Sequence, residues 1–441
     1  MMINISKPFF TLLCCGILAS CGKAPVGAPT AQPNLLMVTF DTLRADHLGA
    51  YGSGAGLTPN FDALAEKSVM FDNAYAVSST TAPSHATIFS GLYPNEHGVL
   101  KNGVPLSGDV TTVAEVLRDD GYSTAAFVSS YVLGELFDLD QGFDLYDEDF
   151  NFKRRRLGVL TVEAASKWIS EQPNDKPWCV WVHFMDPHKP YRQPAEYLDP
   201  YITSALEGND LDMASYNGAV AYMDSALPAL LSSIDAQQAD AGTLMAITAD
   251  HGELFGEHGN FGHGTNLYQD VMRVPLIFNH STLQASRFTK DVGLIDFAPT
   301  VLDLLNIKFD VEVSGTSLLP FAGEGVATAR PLFMQRRLFD EESIKPVFEK
   351  SGINVQGPQW SVIDRGYKLI MAPDAGEVEL YHLATDPDEL TNLADAESEA
   401  IQLRRMQKLL SGLLDAQTLR ASITDLSPEV LQNLEQLGYA K

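Results

Sequence analysis

Short apolar runs of strand length alternate along this chain with segments whose apolar residues recur every three or four positions. Asn34–Phe40 (NLLMVTF), Ser123–Val128, Trp178–Phe184 (WCVWVHF), Thr243–Ala249 and Val274–Phe278 are near-continuous apolar runs, as strands buried on both faces should be. Pro59–Lys67, Val110–Asp120, Leu157–Glu171 and Ser215–Ser232 carry helical periodicity between them, and Asp296–Leu305 begins a further helix with Asp296 as its cap. This alternation continues to about residue 306 and predicts an α/β fold, a largely parallel sheet with helices on both faces. The rhythm then changes. Pro331–Gln335, Trp360–Asp364, Tyr367–Met371 and Glu377–His382 read as short strands, with hairpin chemistry at Pro373-Asp374-Ala375-Gly376 and a helix over Glu397–Leu414. The expected plan is a catalytic domain over 35–325, a small C-terminal α+β part over 326–416 and a tail over 417–441.

The N-terminus follows another pattern. Lys7 precedes an apolar run, Phe9–Leu18, and Leu18-Ala19-Ser20-Cys21 closes it with small residues, as in a secretory signal. The segment resembles the lipobox of bacterial lipoproteins, which implies cleavage after residue 20 and lipidation of Cys21; a plain signal peptide with an incidental cysteine is the alternative. The Pro-, Gly- and Ala-rich stretch that runs from Cys21 to Asn34 then tethers the domain to the membrane. The expected location is the bacterial cell envelope, at the outer membrane or the periplasmic face. Of four cysteines only Cys179 stays in the folded part, inside an apolar strand, so no internal disulfide forms and Cys179 reads as a small buried hydrophobe.

A formal charge of −27 argues against a nucleic-acid partner, which needs a basic surface. It also means that an anionic substrate must be drawn in by a local positive centre such as a metal. The one basic run, Lys153–Arg156, reads as a solvated loop or helix start.

Candidate chemistry gathers at strand ends, where open α/β sheets carry their sites. Asp41 follows the first strand, Asp186 and His188 follow Trp178–Phe184, and Asp250 and His251 follow Thr243–Ala249. Asp41 taken alone reads more simply as a helix cap. A short helix over Thr81–Gly91 is marked by Pro83 in its first turn and Gly91 at its end, and it places the Thr81 hydroxyl at a helix mouth suited to an anion. An ordinary Thr cap is the alternative until the other residues are considered. The Gly-rich loop Gly252–Gly264 adds His263, while His97 and His183 read as structural. A parallel sheet brings these groups to one edge. The set reads as metal-assisted attack on an anionic ester, with a carboxylate and imidazole mixture suited to zinc or manganese and calcium preferring oxygen alone.

These stretches together resemble the sulfatase family of the alkaline-phosphatase superfamily, from about Asn34 to His382. The resemblance rests on Leu36–Gly52 (LMVTFDTLRADHLGAYG), Thr81–Gly91, Asp186–Tyr191, Asp250–His263, Arg273–Ile277, Tyr367–Ile370 and Glu379–Asp395. It implies a hydrolase of sulfate or phosphate esters with Asp41, Asp250, His251 and Thr81 at the metal. Thr81 would also be nucleophile, with His188 and His263 contacting the transferred group or its leaving oxygen and His85 counted with them as catalytic. The family's nucleophile is a cysteine or serine in C/S-x-P-S-R, oxidised to formylglycine. Here Thr81 and His85 occupy the first and last positions, Thr42 replaces a second aspartate, and Gly262-His263 stands for Gly-Lys. Oxidising a secondary alcohol gives a ketone, so Thr81 rules out formylglycine. The expected cofactor is a divalent metal (zinc, manganese or calcium).

These departures keep open a phosphodiesterase or phospho-group transferase acting on envelope glycans or lipids, with Asp186, His188 and His263 around a second metal. A non-catalytic binder of sulfated or phosphorylated glycans is the reading from a different class. The expected partners are such an anionic ester and a membrane, reached through the lipid anchor.

Overall fold

A computed structural model describes residues 32–150, 155–203, 205–237, 241–319, 330–416 and 432. The signal peptide, Cys21 and most of the tether lie outside the described residues, as do Lys153 and Arg154 of the basic run and all of the tail but residue 432. Among the described residues no helix is long and apolar enough to cross a membrane.

The strands in chain order are β1 (Asn34–Phe40), β2 (Val69–Tyr75), β3 (Ser123–Phe127), β4 (Leu145–Asp147), β5 (Trp178–Phe184), β6 (Thr243–Ala249), β7 (Leu254–Phe255), β8 (Phe261–Gly262), β9 (Arg273–Asn279), β10 (Ser286–Gly293), β11 (Leu332–Gln335), β12 (Trp360–Asp364), β13 (Tyr367–Ala372) and β14 (Glu377–His382). The main sheet has the order β10-β2-β9-β6-β1-β5-β3-β4. It is parallel except at β9, which runs antiparallel to both β6 and β2. The apolar runs therefore fall on the central strands. The sequence pattern does not show β2, β4 or β10: polar residues obscure strand periodicity in β2 and β10 (VMFDNAY, SRFTKDVG), and β4 is only three residues long.

Helices cover both faces, and the pleat of β1 shows how. Neighbouring residues on a strand point to opposite faces. Thr39 meets His85 of the Thr81–Ser90 helix, with Thr39 Oγ1 3.0 Å from His85 Nε2, whereas Phe40 meets Phe61 of the Pro59–Ala65 helix at a ring separation of 6.4 Å. The predicted Ser215–Ser232 helix extends in both directions to Gly208–Gln237. A further helix spans Glu341–Ser351, where the sequence pattern predicts none.

The C-terminal strands form the antiparallel sheet β11-β12-β13-β14. The Ala400–Ala416 helix packs on it through Met406 and Leu410, around Val362, Leu369 and Leu380. Val77, Tyr93 and Ile295 from the catalytic part join this second apolar cluster. The sheet is also stitched to the larger part by a bridge between Ser78 and Gln335, where the Gln335 N–H donates to the Val77 carbonyl at 2.8 Å.

Candidate active site

Strand register sets the centre of the site. Phe40 is paired with both Phe184 and Ala249, and the ladders continue one step further: the Asp41 N–H donates to Phe184 O at 2.8 Å and the Asp250 N–H to Phe40 O at 3.1 Å. Asp41 and Asp250 thus leave neighbouring strands at one level, and His251 comes with Asp250. One ligand atom from each of these three lies within 4.8 Å of the others, and all three residues are buried.

The hydrogen-bonding pattern shows what the cluster is suited to hold. Asp250 Oδ1 accepts from the N–H groups of Thr42 at 3.1 Å and His251 at 2.7 Å, while Oδ2 has no hydrogen bond. Neither oxygen of Asp41 has one. His251 Nδ1 lies 3.0 Å from Gly252 O, and since a carbonyl only accepts, the proton sits on Nδ1 and the lone pair on Nε2. That lone pair lies 3.5 Å from Asp250 Oδ2 and 3.5 Å from Thr81 Oγ1. Burial, reinforced by Asp250, holds the Asp41 carboxyl well above its ordinary range, and burial pushes Asp250 up to about 8. Three unbonded carboxylate oxygens and one imidazole lone pair converge without a donor between them. Such a set fits a divalent cation, which offsets the charges that burial penalises.

Thr42 makes no part of this set. It takes a left-handed backbone (φ 58°), and its hydroxyl donates back to Asp41 O at 2.7 Å. Its contribution is the backbone N–H that fixes Asp250.

The Thr81–Ser90 helix follows an extended Thr80 and ends at left-handed Gly91 (φ 68°), as the sequence pattern requires. It is sealed against the sheet edge, where the Ser84 hydroxyl donates to Asp250 O at 2.7 Å. The Ala82 N–H donates to Asn102 Oδ1 at 2.8 Å, which leaves Asn102 Nδ2 buried without a partner. His85 lies beneath the site rather than open to it. Its Nδ1 donates to Thr81 O at 2.9 Å, its Nε2 accepts from Thr39 Oγ1 at 3.0 Å, and burial pushes its pKa down to about 4. Both ring nitrogens are committed, so a neutral His85 buttresses Thr81 and Asp250 in place of touching substrate.

His263 and His188 continue the site from His251. The His263 ring is 4.5 Å from that of His251 and 5.0 Å from that of His188. Burial opposes charge on His263, but the Glu253 carboxylate, 3.1 Å from Nδ1, outweighs it and raises the pKa. His188 is the opposite case. Burial, with His263 beside it, holds it well below the usual histidine range, and its Nδ1 donates to Lys189 O at 2.5 Å.

Asp186 does not join them. Both of its oxygens accept the Gly158 N–H, at 3.0 and 3.2 Å, where the Gly158–Ser170 helix begins. The second metal set of Asp186, His188 and His263 is therefore not assembled: Asp186 is a helix-start acceptor, and the cluster at Asp41 is the one group of three or more such ligands among the described residues.

Three contributors escaped the sequence reading. His183 is not a satisfied core histidine: Nδ1 accepts from the Ser129 N–H at 3.3 Å, while Nε2 has no hydrogen bond and faces Asp41 Oδ2 at 3.8 Å. Glu253 partners His263. Arg44 is buried among Asp46, Glu257 and Asp270 at 2.6–2.7 Å and donates to Glu253 O at 3.1 Å, which pins the Gly-rich loop to the turn after β1. The one signal for His183 was its place one residue before a functional strand end.

With this geometry, the comparisons with known proteins fall into one group. The sulfatase family model matches residues 33–307, and a model of the N-sulphoglucosamine sulphohydrolase C-terminal region matches residues 256–416. An N-acetylglucosamine-6-O-sulfatase of Bacteroides thetaiotaomicron is 22% identical over 89% of this chain and 88% of its own. A delta 4,5-hexuronate-2-O-sulfatase of the same organism is 26% identical over 86% and 87%. Among solved structures, a protein in complex with its substrate D-glucosamine-2-N,6-O-disulfate superposes with a TM-score of 0.74 at 20% identity, over 87% of this chain and 98% of that one. A phosphonate monoester hydrolase of Agrobacterium radiobacter gives 0.72 at 24% identity, over 90% and 99%.

Proposed function

The chain belongs to the sulfatase family, and on that premise we propose that it is a divalent-metal-dependent hydrolase of sulfate esters on saccharides, with Thr81 in the nucleophile's place. The observation that carries this reading is the convergence of Asp41, Asp250 and the His251 lone pair beside the Thr81 hydroxyl. Asp41, Asp250, His251 and Thr81 would hold the cation. Bound there, it supplies positive charge against the ester oxygens and makes the adjacent hydroxyl more acidic.

The chain's own groups and solvent account for the protons. Thr81 Oγ1 attacks sulfur and gives up its proton to solvent water, while the S–O bond to the sugar oxygen breaks. His263, whose proton the Glu253 carboxylate favours, gives that leaving oxygen its proton. Neutral His188, whose Nδ1 proton is committed to Lys189 O, offers its Nε2 lone pair to a water. Attack by that water, whose proton His188 takes, frees sulfate; Thr81 regains a proton from solvent and His188 passes its own to His263, whose ring is 5.0 Å away, which restores both. Two histidines with pKa values driven apart by their surroundings suit the separate acid and base roles.

Saccharide substrates are favoured by the relatives, which act on N-acetylglucosamine and hexuronate sulfates by name. The second reading is a phosphoester or phosphonoester hydrolase, favoured by the threonine, which cannot become an aldehyde. The deciding test is a paired rate assay with an aryl sulfate and an aryl phosphodiester, in zinc and in manganese, with Thr81→Ala as the blank. Faster sulfate turnover supports the sulfatase reading; faster phosphodiester turnover replaces it with the second. We also place the enzyme on the envelope through Cys21, which acyl-chain labelling lost in Cys21→Ala would support.

A further inference from the structure

We propose that Arg337, supplied by the C-terminal part of the chain, contacts the charged oxygens of the ester group held at Thr81. This rests on the hydrolase reading above and adds to it a residue far from every motif in the catalytic part.

The argument begins with register. Ser78 and Gln335 form a parallel bridge, so continuing each chain by two residues sets Arg337 beside Thr80. An independent measure agrees. A Cβ placed on Gly264 would lie 3.2 Å from Arg337 Nε and 3.4 Å from Thr80 Oγ1, so guanidinium and hydroxyl flank the residue after His263. Gly264 is left-handed (φ 82°) and has no side chain to separate them. Arg337 therefore sits between the start of the Thr81–Ser90 helix and the loop that carries His263.

The segment is held in place from several directions. The Leu338 N–H donates to Leu100 O at 3.2 Å, and Lys101 pairs with Asp340 at 2.7 Å. Arg336 is committed to the carbonyls of Thr265, Val355 and Gly357. The Arg337 guanidinium lies over the Phe339 ring at 4.3 Å, a contact that helps to orient the group.

Charge balance supplies the reason for a ligand. The site contains Asp41, Asp250 and Glu253, and His85, beneath Thr81, is committed through both nitrogens. A monoanionic or dianionic ester approaching three carboxylates is favoured by fixed positive charge beyond a single cation and the His263 whose proton Glu253 favours. Arg337 brings a planar fork of donors suited to sulfate or phosphate oxygens.

The test uses the full metal-loaded chain and inorganic sulfate as probe, with binding by calorimetry and aryl sulfate turnover measured on wild type, Arg337→Ala and Arg337→Lys. Loss of one charge-assisted contact should weaken sulfate binding about tenfold or more in Arg337→Ala, with Arg337→Lys retaining most of it. Unchanged melting temperatures and an unchanged metal content would separate this from a structural loss. Equal sulfate affinity in wild type and Arg337→Ala, with turnover intact, overturns the role of Arg337 and leaves the hydrolase reading standing. A wild type that neither binds sulfate nor turns over the ester overturns both. If Arg337→Ala fails to fold, Arg337→Lys with wild-type affinity for sulfate but a raised KM still supports a contact, and with wild-type KM and kcat counts against it.

Discussion

His183 Nε2 lies 3.8 Å from Asp41 Oδ2, with both side chains sealed from solvent. Because His183 Nδ1 accepts from the Ser129 N–H, its proton is on Nε2 and faces the carboxylate. His183 thus turns its N–H toward a candidate metal ligand across 3.8 Å, from the place of an outer-shell partner and with no hydrogen bond between them. Partners of this kind typically set metal affinity by about 10–100-fold. His183→Ala is expected to lose metal to a competing chelator at least tenfold more readily while keeping near-wild-type secondary structure, as metal analysis after graded chelation would show. Retention equal to wild type would make His183 a packing residue only.

Thr81 has a sharper expectation. Its hydroxyl is 3.5 Å from the His251 lone pair and beside Asp250, so Thr81→Ala should abolish turnover without unfolding the chain. Thr81→Ser keeps the oxygen and should retain measurable activity, with some loss because the methyl group no longer fixes its rotamer. Rates from all three on one substrate decide the matter. Equal rates in wild type and Thr81→Ala would move the nucleophile to water.

The legible parts of this chain were those with local signatures. The bounds of β1, β5 and β6 follow from continuous apolar runs, and the Thr81–Ser90 helix from Pro83 and Gly91. Asp41, Asp250 and His251 were found because strand ends are where such sheets place polar groups. What escaped depends on packing in three dimensions. His183 has the sequence setting of a core residue, and only its position opposite Asp41 makes it part of the site. Asp186 has the setting of a ligand, yet the Gly158 N–H captures it. His85 occupies a motif position, but its rotamer turns both nitrogens into the protein. Sequence spacing gives the level of a residue along the sheet. It does not say which neighbour satisfies its hydrogen bonds.

Asp186 also gives a pH signature. Burial pushes its carboxyl from the ordinary aspartate range up to about 6, against the Gly158 N–H and Arg155 that favour ionisation. A carboxyl whose pKa is raised on folding binds its proton more tightly in the native state. Its contribution to stability is present below about pH 4 and is lost as pH rises through about 6. Asp186→Asn removes that titration. The difference in unfolding free energy between variant and wild type should therefore shift in favour of the variant as pH rises from 4 to 6, by an amount on the order of 2 kcal/mol. Denaturant titrations at pH 4, 5 and 6 would measure it. A difference that stays constant over that range would mean that the folded carboxyl titrates normally.

A buried ion pair adds a further link between the two parts of the chain. Lys368 Nζ on β13 lies 2.7 Å from Glu389 Oε1, and neither side chain is exposed. Glu389 Oε2 accepts the Gln269 N–H at 2.7 Å, one residue before the Asp270 that holds Arg44. Gly252 is pressed against the same segment: its N–H donates to Val271 O at 2.7 Å, and a Cβ there would collide with Asp270 O. The ion pair thus supports, through Gln269 and Asp270, the turn that follows Asp250 and His251. Removing one partner strands a buried charge, so Lys368→Met should cost about 3–5 kcal/mol and lower activity through the displaced loop. Replacing both partners, Lys368→Met with Glu389→Leu, removes the stranded charge and should recover much of the stability, though not the bond to Gln269. Urea unfolding of the four chains in a double-mutant cycle gives the coupling directly. A coupling near zero would mean that the pair is not what joins the C-terminal sheet to the active-site loop.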